Sequence, residues 1–267
     1  MNRFDLVNQQ YLLHEQYKDA SNLNTRLYTL QRLSTSHVDW YEWIFSNIRT
    51  APACHVLELG SGPGFLWQKN LARIPRDWQI TLSDFSPGML KEAHNNLSRS
   101  QHPFTFQVID AQAIPLNADL FDRVIANLML YHVPDRPRAF AEIRRVLKSS
   151  GYFYAATVSE TAFAGLDDMV REAGLATWHD TINFSMENGC EQLSDWFSEV
   201  QLQRLENTLV VTEAGPLVEV IRSGTPRAEQ DEAKFQRLDD LIQQRLERDG
   251  QLQMTMDIGL FEASGQR

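Results

Sequence analysis

Cysteine is scarce in this 267-residue chain: there are only Cys54 and Cys190, at no metal or redox spacing. That excludes a disulfide scaffold and a cysteine-based zinc site, and it predicts a reduced, cytoplasmic setting. No apolar run approaches the roughly 20 residues of a membrane span, and the opening MNRFDLVNQQYLLHEQY is too polar for a signal peptide. Basic runs are missing as well. With 25 Lys and Arg against 35 Asp and Glu, the net charge is −10. Phosphate backbones are repelled at long range, so nucleic acid is disfavoured as a partner. Internal repeats and low-complexity segments are absent too, which leaves one large α/β domain, or one domain with a sizeable insertion.

What is present is an alternation of short apolar runs with helical patterns. The stretch to about Arg49 reads as helices, with Leu23, Leu27, Leu30 and Leu33 near helical spacing. Strands are predicted at His55–Leu59, Gln79–Asp84, Phe104–Asp110, Arg123–Leu128 and Tyr152–Val158. Helices are predicted between them at Phe65–Ile74, Ser86–Leu97 and Arg138–Leu147. Ser86 is a natural cap and Pro87 fits the first turn. After Val158 the regularity weakens. Helices are expected at Thr161–Ala173, Glu187–Trp196, Ala214–Ile221 and Glu229–Arg248, and strands at Val200–Glu206, Thr208–Val211 and Gln251–Ala263. Strands alternating with helices predict a doubly wound, parallel sheet whose ligands lie outside the carboxyl ends of the strands. The chemistry-bearing residues fall there: Gly60–Gly64 after the first strand, Asp84 after the second, Asp110 after the third, and Asn127 to His132 after the fourth.

The glycine loop narrows the ligand. A dinucleotide fingerprint needs Gly-x-Gly-x-x-Gly/Ala, but here Phe65 occupies the third small-residue position. A Walker loop needs a terminal Gly-Lys-Ser/Thr, which is missing. Val56-Leu57-Glu58-Leu59-Gly60-Ser61-Gly62-Pro63-Gly64 instead resembles the first motif of the class I S-adenosylmethionine-dependent methyltransferases. Asp84-Phe85-Ser86-Pro87-Gly88-Met89-Leu90 resembles the second motif, twenty residues beyond Gly64, and Asp110-Ala111 the third. Phe121-Asp122-Arg123-Val124-Ile125 and Arg145-Val146-Leu147-Lys148-Ser149-Ser150-Gly151 resemble the two that follow. The nearest subgroup is the small-molecule type exemplified by ubiquinone and menaquinone biosynthesis.

The resemblance implies a Rossmann-like, doubly wound, seven-stranded, mostly parallel sheet with an antiparallel last strand and an N-terminal helical lid. The lid would span residues 1–50. The methyltransferase domain would span 51–267, with cap insertions at about 159–198 and 213–249. The implied cofactor is S-adenosyl-L-methionine, leaving S-adenosyl-L-homocysteine as product, and no metal is required. Gly60, Ser61, Gly62 and Gly64 let the backbone approach the methionine part, and Glu58 offsets its positive charge. Asp84 accepts the ribose hydroxyls. Phe85 and Met89 pack around ribose and adenine, while Asp110 and Ala111 meet the adenine edge. Asn127 is a candidate for the methionine moiety, and Arg26 for a bidentate clamp on its carboxylate.

His132 follows the fourth strand, where a base would sit. In the phosphoethanolamine-methylating subgroup a histidine there works with an N-terminal tyrosine. Tyr17 is the candidate, because Tyr17-Lys18-Asp19 resembles the lid. Phe163, Trp178, Phe184, Trp196 and Phe197 either line an acceptor pocket or belong to the core. The expected reaction is in-line methyl transfer to an O, N or C nucleophile of a small molecule, by a monomer or homodimer. The alternatives are a methyltransferase acting on protein or RNA, and a binding protein that transfers nothing.

Overall fold

A computed structural model of the chain describes residues 7–177 and 182–265. Trp178 lies outside them. Five parallel strands form the first part of the main sheet: β1 (His55–Leu59), β2 (Gln79–Asp84), β3 (Phe104–Val108), β4 (Phe121–Asn127) and β5 (Leu147–Val158). Two more complete it, β6 (Glu199–Leu205) and the final β9 (Ile258–Ser264). The order is β3-β2-β1-β4-β5-β9-β6, and β9 runs antiparallel to both neighbours. This is the doubly wound sheet that the sequence predicts. The order reverses between β1 and β4, so a crevice opens at their carboxyl ends.

The central strands are apolar on both faces because helices cover both. On one side α3 (Trp40–Asn47), α4 (Phe65–Asn70) and α5 (Pro87–Leu97) bury Ile44, Phe45, Trp67 and Leu97 against Val56, Ile80 and Leu82. On the other, α6 (Arg136–Val146) and α8 (Gly189–Ser194) bury Phe140, Ile143 and Leu193 against Leu57, Val124 and Phe153. Ser86 caps α5 as expected, its hydroxyl accepting from the Met89 N–H at 3.2 Å.

A third apolar cluster lies beyond the end of β5, which contributes Val158. It joins α7 (Ala164–Glu172), α9 (Ala214–Gly224) and α10 (Glu232–Asp249) to a two-stranded antiparallel ribbon of β7 (Thr208–Val211) and β8 (Leu252–Thr255). The run Gln251–Ala263, predicted as one strand, is therefore two strands serving two sheets. Asp257 fixes the break. Its carboxylate accepts from the Asn207 N–H at 2.8 Å and pairs with Arg204, and these bonds turn the chain between β8 and β9. The N-terminal helices are α1 (Gln9–Tyr11), a π-helical turn at Leu12–Gln16 and α2 (Ser21–Leu33). No helix among the described residues is long and apolar enough to cross a membrane.

Candidate active site

The site begins at the tip of β1. Glu58 is 2% exposed and holds two donors: Trp67 Nε1 at 2.6 Å on one oxygen and Asn127 Nδ2 at 3.1 Å on the other. Burial still dominates and pushes its carboxyl up to about 8, with the neighbouring Asp84 charge adding to the rise. The chain then turns through Gly60, Gly62 and Gly64, all with positive φ (66°, 53° and 76°). At Gly60 a second constraint applies, since a Cβ would lie 2.8 Å from the Met129 side chain. The β1 loop and the β4 loop thus meet with no room for a side chain between them.

Asp84 ends β2. Its two oxygens accept from the backbone N–H groups of Gly62 and Ser86, both at 2.8 Å, which ties the glycine loop to the start of α5. Burial raises its carboxyl to about 6 against the opposing pull of those bonds. Each oxygen keeps a second lone pair for a hydroxyl donor. Asp110 follows β3 and closes a short turn, accepting from the Gln112 N–H at 2.9 Å and side chain at 3.0 Å. Gln9 reaches it from the N-terminal segment at 3.3 Å.

Beyond β4, Leu128 takes a left-handed backbone conformation (φ 52°) and a short 3₁₀ turn carries Leu130–His132. Tyr17 Oη lies 2.8 Å from His132 Nε2. Tyr131 also packs edge to face on the imidazole, ring centroids 4.5 Å apart. Burial raises the phenols of both Tyr17 and Tyr131. Arg26 stands 5.8 Å from the Tyr17 ring centre and donates to the Ser223 carbonyl at 3.3 Å. With its amide oxygen turned toward Arg26, Gln16 accepts from that guanidinium at 3.0 Å and donates to the Ser223 carbonyl at 3.1 Å. Tyr11 Oη donates to the Gly224 carbonyl at 3.0 Å. These bonds fasten the N-terminal segment to the last turn of α9, where helix carbonyls lack intrahelical partners.

Most of these groups face one cavity of about 1420 Å³. Glu58, Gly60, Ser61, Gly62, Asp84, Phe85, Met89, Asp110, Ala111, Asn127, Arg26, His132 and Tyr17 line it together. Gly64 does not, because it faces Leu82, Ala93 and Leu97 and serves instead as the left-handed cap of α4. Of the aromatic candidates, Phe163 reaches the wall. Phe184 and Phe197 are buried in the core beside α8, and Trp196 packs on that core. Sequence reasoning missed Trp67, Met129, Tyr131, Gln9 and Gln112. Trp67 reads as an ordinary helix residue, and only the fold shows its indole clamping Glu58.

Two buried polar atoms on this wall lack any hydrogen-bond partner among the described residues: Ser61 Oγ and Asn127 Oδ1. Buried polar groups are seldom left so, and here they flank the glycine loop and Glu58. A hydroxyl that donates or accepts and an amide oxygen that accepts fit the carboxylate and ammonium of an amino-acid group. Asp84 and Asp110, farther along the cavity, fit the hydroxyls and amino edge of a nucleoside.

Comparison with known proteins agrees with that geometry. Residues 57–155 match the family described as "Methyltransferase domain". Over 118 residues the chain is 34% identical to a malonyl-[acyl-carrier protein] O-methyltransferase of Geobacter sulfurreducens, covering 44% of this chain and 43% of that protein. It is 28% identical over 126 residues to a ubiquinone/menaquinone biosynthesis C-methyltransferase of Bordetella avium, covering 47% and 49%. The matched stretch thus spans less than half of either relative. Among solved structures, a phosphoethanolamine N-methyltransferase 2 of Haemonchus contortus superposes with a TM-score of 0.60 at 15% identity, covering 100% of this chain and 61% of that one. The fold is that of the class I S-adenosylmethionine-dependent methyltransferases. Residues 57–155 are where the likeness to a methyltransferase domain lies.

Proposed function

We propose that the protein is an S-adenosylmethionine-dependent methyltransferase acting on a small molecule. The observation that supports this most is the shared cavity: Glu58, Asp84 and Asp110 leave three strand tips and face one space, beside the Tyr17–His132 pair. Within the expected lid, the segment from α1 through α2 covers the cavity, while α3 belongs to the core layer; of the expected caps, α9 and its neighbours in 213–249 lie over the cavity, while α8 packs on the sheet. A concave, mostly apolar cavity favours a small acceptor over a polymer.

When bound among these residues, the sulfonium cofactor would supply a methyl carbon already activated for displacement. The chain's part is to hold, orient and dehydrate. Asp84 and Asp110 fix the nucleoside, and Phe85 and Met89 pack against it. Ser61 and Asn127 take the amino-acid end. Glu58 ionises in response to the incoming positive charge. His132, oriented by Tyr17, receives the nucleophile's proton where there is one to lose. Arg26, held by Gln16 and Ser223, fastens the lid beside Tyr17 rather than clamping the cofactor carboxylate. The net charge of −10 and the missing basic runs support a protein that does not act on nucleic acid, and the scarcity of cysteine supports a cytoplasmic setting.

Incubation with methyl-labelled cofactor and a cell extract, followed by size fractionation, tests this reading. Label in the small-molecule fraction is expected. Label confined to protein or RNA would replace the acceptor class, and no label at all would leave a binding protein.

A further inference from the structure

The start of α5 carries Asp84, Phe85 and Met89 toward the nucleoside region, but its outer side makes a contact that this role does not require. Ser86 Oγ donates to the Tyr17 carbonyl at 2.6 Å while accepting from the Met89 N–H. Two residues on, the backbone of Gly88 faces the Lys18 carbonyl so closely that a Cβ there would lie 1.8 Å from the oxygen and 2.9 Å from the carbon. Gly88 does not have a left-handed backbone, so its φ tolerates any side chain. In the first turn of a helix alanine is ordinarily the better residue, by up to about 1 kcal/mol. Nothing local to α5 asks for glycine; the Tyr17–Lys18 peptide does.

We infer that Ser86 and Gly88 are positioning residues for Tyr17: together they form the seat on which the N-terminal segment closes and its phenol is delivered to His132. The inference rests on the proposed methyl transfer for its purpose, though not for its test. A short path connects the two halves of the site. The Asp84 carboxylate accepts from the Ser86 N–H at 2.8 Å, the Ser86 hydroxyl holds the Tyr17 carbonyl, and the Tyr17 phenol meets His132. The turn that presents a carboxylate to the nucleoside therefore also sets the position of the proton-handling pair. Gly88 acts by being small, and Ser86 by donating outward while capping inward.

Hydrogen exchange on the full chain, without cofactor or acceptor, tests the seat apart from any transfer chemistry. In Gly88→Ala, amides of residues 12–20 are expected to exchange at least about tenfold faster than in the parent, while α5 amides exchange equally or more slowly. A purely helical role for Gly88 predicts the same quiet α5 but an unchanged lid, and that result would overturn the inference. Ser86→Asp keeps an acceptor for the cap but has no hydrogen to give Tyr17. It should also speed exchange in residues 12–20, whereas Ser86→Thr, which keeps both functions, should restore parent rates. Parent-like lid exchange in both Gly88→Ala and Ser86→Asp contradicts the proposal even if the cofactor binds. Conversely, a loosened lid in a protein that binds no cofactor would sink the methyltransferase reading and leave the seat standing.

Discussion

Tyr17 and His132, 115 positions apart in the chain, meet with Oη 2.8 Å from Nε2 and their rings edge to face at 76°. Tyr17 donates when Nε2 is bare and accepts when it is protonated, so the pair can hold a proton in transit without changing its geometry. Tyr17 comes from the N-terminal segment and His132 from the turn after β4. The contact ties that segment to the wall of the cavity.

Removing either partner should therefore affect turnover more than cofactor binding. His132→Ala and Tyr17→Phe are each expected to lower kcat by about 100-fold, the low end of general acid–base catalysis, with cofactor Kd within threefold of the parent. The double variant should be little worse than either single one, because the two residues act as a unit. Parent-like turnover of the natural acceptor in both single variants would make the pair structural.

Glu58 gives the pH dependence. Burial keeps its carboxyl protonated in the folded chain up to about 8, while an unfolded glutamate ionises near 4.5. Between those values the folded state binds the extra proton, so stability is fullest below the lower one and falls as pH rises through 8. Asp84, raised to about 6, adds a fall of the same sign that ends earlier. Thermal melts of the ligand-free protein should thus lose stability between pH 6.5 and 8, and Glu58→Gln should flatten that part of the curve. A positively charged ligand reverses the preference: its affinity should increase toward pH 8, with proton release seen by calorimetry in buffers of different ionisation enthalpy. Equal slopes in parent and variant would remove Glu58 from this account.

Gly60→Ala tests the contact between the two loops. An alanine at φ 66° costs about 1–2 kcal/mol, and its methyl would overlap Met129, adding about 1–3 kcal/mol. The expected outcome is a lower Tm and at least tenfold weaker cofactor binding. A variant that melts and binds like the parent would show that the β1 and β4 loops yield freely there.

Much of this was legible in the sequence, for identifiable reasons. The alternation of apolar runs with helix patterns fixes a parallel sheet, and a parallel sheet sends Glu58, Asp84, Asp110 and His132 to one edge. The Tyr17–His132 contact was reachable only through family resemblance, since no local pattern links them. Where long-range partners decide, local reading failed. QLQMTMDIGL alternates without a break, and it is the bonds around Asp257 and Met256, to Arg204 and Asn207, that split the run into β8 and β9. Trp67 and Gln9 owe their roles to the carboxylates they reach. Gly88 reads as a helix-start residue until the Lys18 carbonyl is seen against it.

The central claim is that one adenosyl group spans the strand tips, and calorimetric titration with S-adenosylhomocysteine tests it most directly. The account predicts saturable one-to-one binding by the parent. Asp84→Asn keeps an acceptor oxygen but loses the charge. It should weaken binding by about 1.5–3 kcal/mol, roughly 10- to 100-fold, as expected when hydrogen bonds to a charged group are lost. No binding by the parent, or equal affinity in Asp84→Asn, would contradict it.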